Sequence, residues 1–408
     1  MSSASLAARA LAARRPAVGS SFRFHRPRGP LCGRGYCFQC AVETPAGPVL
    51  ACMTDGGHRR RRPDLLRPLG RLAEAWPPWF YEGRFGLSPV VDRLALEIVR
   101  RASAAGPLRP AAPKAMRRFE ELEAETVVVG NAADAPSDAF VVDERRDSIA
   151  VGVYPHRVLG VLCEDRLVAV RFERLVLGTG GYERLPPIVG NDLPGVIGLK
   201  ALEHYAPVLE RGLRIGAWAR ADQRDQIERL VERHGLRLVW TSTTPPLSLS
   251  GRGRVERLHA DEAIACDLFV IGVMQPALEL AQQAGARVEL TSGELAILTV
   301  ADAPAWLELR GEAARRTSGV PDVAAADGAF ACLCEDVRFS DLRACVAGGF
   351  RHPELVKRRT GAMTGPCQGK LCTAAVLSVL RAEGVEFAAT TARPPARPLT
   401  LADLAAHA

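Results

Sequence analysis

Eight of the eleven cysteines in this 408-residue chain lie in two tight groups, one near each end. Cys32, Cys37, Cys40 and Cys52 fall within RPRGPLCGRGYCFQCAVETPAGPVLACMT, and Cys332, Cys334, Cys367 and Cys372 within CLCEDV and GPCQGKLC. Such grouping restricts the fold more than any other feature. Each set must bring its thiols to one point, which requires curled loops between short elements. In a reducing compartment, grouped cysteines point to metal rather than to disulfides. Cys163, Cys266 and Cys345 stand alone in apolar or helical contexts and read as core fillers.

The first group has the spacing C-x4-C-x2-C followed by one distant cysteine, the plant-type arrangement in which a loop wraps two irons and a separate strand delivers the fourth thiolate. Three thiolates converge within one loop only where the backbone curls, and Gly33 and Gly35 tolerate the positive φ this needs. Amides in that loop, with Arg34, would donate to cluster sulfurs and offset the negative charge. Structural zinc is the competing reading, but zinc favours paired C-x2-C knuckles and only one such pair exists here. AVETP and GPVLACM predict a short hairpin with a Pro-Ala-Gly turn, the part of a β-grasp sheet that carries the last ligand. A complete β-grasp also has an opening hairpin ahead of its helix. The domain therefore reads as partial, either truncated or with its chain start set too late.

In the second group, Cys332 and Cys334 are two apart, so an extended segment points both to one side. Cys367 is expected in a turn and Cys372 in the first turns of a helix between Pro366 and Gly384. Between the pairs, Ser340 is expected to cap a helix ending at Gly348-Gly349, and Pro353 to open another running to about Arg359. Lys357, Arg358, Arg359 and Lys370 place positive charge beside this module, which suits an anionic cluster. The zinc alternative is weaker here because C-x-C is uncommon in closed tetrahedral sites.

Between the cysteine groups, TVVVGNAADAPSDAFVVDE opens like a dinucleotide-binding strand at Thr126, yet only residues 131–139 separate Gly130 from the next strand. No helix fits there to present its N-terminus to a pyrophosphate. LRIGAWARADQRDQIERLVERHGLRLVW predicts strand, helix and strand, with Ile227, Leu230 and Val231 on one helix face. Its turn places Trp218 and Arg220 where glycines would admit a pyrophosphate, which argues against nicotinamide binding. CDLFVIGV predicts a buried strand ending near Val273. SIAVGVY and RLVAVRF predict further strands.

The chain is 48% hydrophobic and carries a net charge of +7, but only four of its 53 basic residues are lysine and no basic stripe interleaves with aromatics. Nucleic acid is therefore not an expected partner. No run reaches the eighteen or more apolar residues of a membrane span. The first forty residues lack any acid before Glu43, which resembles an organelle transit peptide in composition. The reading preferred here is an amphipathic helix, SLAARALAARR, followed by a loop, with the cytoplasm as default and peripheral membrane contact only through a complex. His156, His204 and His234 read as surface or packing residues, and no side chain is a candidate catalytic base.

CLCEDV followed by LVKRRTGAMTGPCQGKLC resembles the bacterioferritin-associated-ferredoxin type of 2Fe-2S domain attached to flavoprotein subunits of opine oxidases, hydrogen cyanide synthase and dye-linked proline or amino-acid dehydrogenases. HRPRGPLCGRGYCFQC and ACMT resemble the small ferredoxin-like subunit of those enzymes and the N-terminus of the sarcosine oxidase α-subunit. WPPWFYEGRF is similar to a connecting segment of the latter group, and LVLGTGGYERLPPIVGNDLPGV resembles the strand and turn of two-dinucleotide-domain flavoproteins, with Gly178 in place of an alanine.

The resemblance implies an α/β fusion of three parts. These are a partial β-grasp 2Fe-2S domain (residues 1–62), a degenerate Rossmann-like core, and a small helical 2Fe-2S domain (328–385) with a tail at 386–408. A linker at 63–124 leads into the core, which divides into an FAD-like domain (125–210 with 275–325) and an NAD-like domain (211–274). In the resembled family a closing Gly-Asp pair meets the flavin, and none occurs here in a strand-to-helix context between Val288 and Cys332. FAD is accordingly expected on a partner subunit; Gly178, Gly180 and Gly181 would approach it if it were retained here.

The expected function is an iron-sulfur electron-transfer subunit of a heteromeric flavin-dependent oxidoreductase acting on an amine or amino acid of the opine, proline, sarcosine or glycine type. Two 2Fe-2S clusters would relay electrons from the partner's flavin. Two alternatives stand beside it. The chain is itself an FAD-dependent pyridine-nucleotide-disulfide-type oxidoreductase subunit, or it is a cluster-bearing scaffold that does not turn over.

Overall fold

A computed structural model describes residues 5–21, 23–44, 47–55, 90, 94, 117–131, 135–143, 148–387, 390–397, 399 and 406–407. WPPWFYEGRF, at 76–85, lies outside them. The chain separates into two compact units. One comprises Met1–Ala111, Pro186–Gly272 and Ala325–Ser340, and the other Ala112–Leu185, Val273–Ala324 and Asp341–Ala408. The segment 328–385 is thus divided between the units at Ser340.

In the first unit, the expected strand-helix-strand forms as Arg214–Ala219, Ala221–Arg233 and Arg237–Ser242. With Val196–Gly198 and Leu268–Gly272 these strands make a four-stranded sheet paired in parallel throughout. Leu268–Gly272 is buried along its whole length, as a central strand covered on both faces must be. Helix Ala221–Arg233 turns Ile227 and Val231 inward. At the N-terminus, Ser5 caps helix Leu6–Ala12 by accepting from the Ala8 amide at 3.2 Å. The hairpin pairs Ala41–Thr44 with Gly47–Leu50. Ala7, Leu11, Cys40, Val42, Ala51 and Cys52 share one apolar core with Ile197, Ala201, Leu202 and Tyr205. The cysteine loop is therefore built onto the parallel sheet and the helix Leu199–Tyr205 that follows its first strand.

The second unit is organised on a seven-stranded mixed sheet. Its axis is the long parallel pairing of Arg117–Gly130 with Arg166–Gly178, in register from Arg118↔Arg166 to Gly130↔Gly178. Val158–Leu162 and Ile149–Tyr154 extend it antiparallel, and Phe140–Val142 adds in parallel to Arg117–Gly130. The connection from Gly130 to Phe140 is shorter than the dozen or more residues of a parallel crossover through a helix. Gly130, with φ +94, has a reason of its own: a Cβ there would lie 2.2 Å from the Gly178 carbonyl oxygen. The glycine read in sequence as the start of a phosphate turn serves backbone packing.

Helices Pro353–Thr360 and Thr373–Ala382 also lie in this unit. Gly361, at φ +80, ends the former, and Gly384, at φ +67, follows the latter. Two sequence expectations need correction. Ser340 sits inside helix Phe339–Ala347 rather than capping it, and Cys372 is the residue preceding its helix rather than part of the first turn. Among the described residues no helix is long and apolar enough to cross a membrane.

Candidate iron-sulfur site

Cys32, Cys37, Cys40 and Cys52 are all buried. The loop curls through Gly33 at φ +66, Gly35 at φ +78 and Phe38 at φ +59, and the two expected glycines do adopt the left-handed region. Gly33 is fixed by more than its dihedral, because a Cβ there would stand 3.0 Å from Ala201 Cα on helix Leu199–Tyr205. The Arg34 amide donates to Cys32 Sγ at 3.4 Å. Ala51 donates to the Cys40 carbonyl at 2.9 Å and so holds the fourth cysteine's strand against the loop.

The thiols meet one another. Burial would raise Cys32, yet hydrogen bonds from Cys37, Cys52 and the Arg34 amide outweigh it and hold Cys32 well below a free thiol. Cys40 is lowered chiefly by a hydrogen bond from Cys52. Cys37 is pushed up by burial and by its bond to Cys32, and Cys52 by its bonds to Cys32 and Cys40. Four thiols thus interact within one water-poor pocket, a donor set that suits an iron-sulfur core. Among the described residues no three His, Cys, Asp or Glu side chains surround a single-ion position.

Tyr205 stands over the same loop. It is 0% exposed, and its hydroxyl has no hydrogen-bond partner among the described residues. A Cβ built on Gly33 would lie 3.6 Å from that oxygen. Burial, then the nearby Cys52, Cys40, Cys32 and Cys37, pushes its ionisation well above that of a free phenol. A buried hydroxyl left without a partner costs about 1–3 kcal/mol, so a polar group belongs opposite it.

The CLCEDV turn belongs to the same unit. Cys332 ends strand Phe330–Cys332, whose Phe330 amide donates to Asn191 Oδ1 at 3.2 Å while Asn191 Nδ2 donates to the Phe330 carbonyl at 2.9 Å. Asp336, buried and at φ +51, accepts from the Arg23 and Phe24 amides at 3.1 and 3.0 Å and pairs with Arg28 Nη2. Arg28 Nη1 donates to Asp192 Oδ2 at 2.7 Å, and Arg26 Nε donates to the same oxygen at 2.6 Å. Burial alone would raise Asp192, but the charges of Arg28 and Arg26 hold it below the usual carboxylate range. Arg26, Arg28 and Arg338 surround the Phe330 ring at 5.1, 5.5 and 5.2 Å.

This buried ionic network seats Cys334 against the first loop. Cys334 Sγ lies 3.6 Å from Gln39 Nε2 and 3.9 Å from the Cys37 carbonyl, to which Gln39 Nε2 also donates at 3.1 Å. Sequence reading assigned no role to Gln39, Arg28, Asp192, Tyr205 or Asp336. Only Asp336 left a signal, as one of the two acids of CLCEDV.

Cys367 and Cys372 fall in the second unit and are buried, in a turn that passes through positive φ at Met363, Gln368 and Gly369. Lys370 between them donates to the Ala396 carbonyl at 2.7 Å and lies 5.7 Å above the Tyr182 ring. Arg184 is buried, and its Nη1 has no partner among the described residues while Nε donates to Ala296 O at 3.2 Å. Burial pushes the Arg184 guanidinium down to about 10, with Asp322 and Cys372 pulling the other way. A buried cation with a spare donor beside Cys372 suits an anionic occupant.

Of the isolated cysteines, Cys266 is buried, donates to the Leu268 carbonyl at 2.9 Å, and is pushed up to about 12 by burial. Cys345 is also buried and raised, while Cys163 is half-buried. Of the glycines considered for a flavin, a Cβ on Gly181 would meet Gln275 O at 2.6 Å in its pairing with Met274–Pro276, and Gly180, at φ +72, has open space. Trp218 and Arg220 are buried at the end of strand Arg214–Ala219. Trp218 Nε1 donates to Thr243 O at 2.9 Å, and Arg220 Nε pairs with Asp222 at 3.0 Å across the start of the following helix.

Comparison with known proteins agrees with this layout. Residues 4–56 match the model of the 2Fe-2S iron-sulfur cluster binding domain, and residues 326–408 that of the sarcosine oxidase A3 domain. An opine oxidase subunit of Rhizobium meliloti (strain 1021) is 36% identical over 84 residues, which are 20% of this chain and 18% of that protein. The chain thus matches less than a fifth of the length of that relative. In fold, the crystal structure of L-proline dehydrogenase from P. horikoshii is similar at TM-score 0.57 and 14% identity, over 71% of this chain and 81% of that one. The cysteine-motif resemblance is thus supported at both ends of the chain, by a 2Fe-2S domain match at residues 4–56 and a sarcosine oxidase A3 domain match at residues 326–408, and by the likeness of one segment to an opine oxidase subunit.

Proposed function

We propose that the chain is the electron-transfer subunit of a heteromeric amine or amino-acid oxidoreductase. In this reading it carries two 2Fe-2S clusters, held by Cys32, Cys37, Cys40 and Cys52 and by Cys332, Cys334, Cys367 and Cys372. The observation that carries the reading is the seat of Cys334, 3.9 Å from the Cys37 carbonyl and bridged to it by Gln39. One ligand of the second set thus reaches the backbone of a ligand of the first. Tunnelling falls steeply with distance, so such a junction favours exchange between two centres.

The clusters would supply one-electron transfer only; a flavin on a partner would oxidise the substrate and divide its two electrons. The protein's own part is to orient and to insulate. The Arg34 amide and Gln39 donate toward sulfur, burial excludes water, and Arg184 supplies positive charge beside Cys372. The match to an opine oxidase subunit supports an amine-type substrate for the complex. Anaerobic purification followed by iron, sulfide and flavin quantitation tests this. The expected result is about four irons and about four sulfides per chain, the content of two 2Fe-2S centres, without stoichiometric flavin. Stoichiometric FAD would make the chain itself catalytic and overturn the assignment.

A further inference from the structure

Tyr205 occupies an unusual position for a tyrosine in an apolar core. It ends helix Leu199–Tyr205, which packs on the parallel sheet, and its neighbours Ala201, Leu202 and Ala206 belong to the same core as Cys40 and Cys52. Phenylalanine would fill that core equally well. The hydroxyl instead reaches the turn at Gly33, within ordinary contact distance of where a Cβ would stand, and finds no protein partner among the described residues. The four thiols of the first group lie near enough to act on its ionisation.

We propose that the Tyr205 hydroxyl donates a hydrogen bond to a sulfur of the first iron-sulfur cluster and thereby raises that cluster's reduction potential. This rests on the reading that Cys32, Cys37, Cys40 and Cys52 hold a cluster. A donor to cluster sulfur stabilises the more negative, reduced state more than the oxidised one. On reduction one electron enters the cluster, while the proton stays on the phenol oxygen and the ring is not oxidised. Tyr205 is a tuning residue, distinct from the ligands.

The test is Tyr205→Phe in the full chain, purified anaerobically beside the wild type. With iron and sulfide unchanged, the midpoint potential of the first centre is expected to fall by about tenfold in its one-electron equilibrium, about 59 mV. An exchangeable-proton coupling seen by ENDOR, and removed by transfer to D2O, should disappear from that centre alone. The cluster-free Tyr205→Phe chain should melt no lower than cluster-free wild type, because the hydroxyl has no partner there to lose. An unchanged potential and coupling at full iron content would overturn the proposal, as would a clearly lower melting temperature of the cluster-free variant. Wild-type protein that incorporates no iron or sulfide would remove the cluster reading itself, whereas the first two results remove only the role of Tyr205.

Discussion

The most consequential single residue outside the cysteines is Arg28. Its guanidinium lies between Asp192 and Asp336, and all three side chains are nearly inaccessible to water. Removing one member of such a set strands the others as uncompensated buried charges. Arg28→Met is expected to destabilise the protein by about 3–5 kcal/mol, measured by urea unfolding of the cluster-free chain. The network also carries a pH signature. Asp192 is held below its ordinary value, so its contribution is complete above that value, about pH 4, and is lost as pH falls through its lower folded pKa. Arg28→Met should therefore flatten the loss of stability below about pH 4, and an unchanged acid limb would argue against the network.

At this scale the sequence was only partly legible. Cysteine spacing named a ligand set because those residues are close along the chain. Arg28 and Asp336 are 308 positions apart and Gln39 and Cys334 are 295 apart, and no local pattern connects them.

At the scale of the element, periodicity did better. The strand-helix-strand at Arg214–Ser242 was readable because Ile227 and Val231 recur at helical spacing, and the hairpin at Ala41–Leu50 because its turn residues stand between two apolar runs. Gly33 and Gly35 were readable for the positive φ they adopt, but Gly130 was readable only as a position. Gly130 suggested a phosphate turn, yet it lies where two parallel strands end and the Gly178 carbonyl leaves no room for a Cβ. Gly130→Ala is accordingly expected to cost at least 1–3 kcal/mol, about the strain of forcing such backbone on a side chain. The measurement is thermal unfolding, with the EPR signal of the first centre unchanged in shape. A variant as stable as the wild type would show that the close approach is not structural. The cap assigned to Ser340 failed for a related reason: the helix begins one residue earlier, at Phe339, whose amide donates to Ala329.

At the scale of the whole molecule, the fold resembles that of a proline dehydrogenase over 71% of this chain. Trp218 and Arg220 are buried at the end of strand Arg214–Ala219, and only residues 131–139 connect Gly130 to Phe140. The matched domains stand at the two ends, where the cysteines are. What sequence could not show is that the CLCEDV turn belongs with the first cysteine loop in one compact unit, because that association is made by Arg28, Asp192 and Asn191 acting over long separations. Electron transfer of the proposed kind requires two paramagnetic centres within exchange distance. The direct measurement is EPR of the anaerobic protein during stepwise reduction. A single simple signal is expected while one centre is reduced, then splitting or broadening and faster spin relaxation when both are. Two signals that merely add at full reduction, or one centre only, would contradict it.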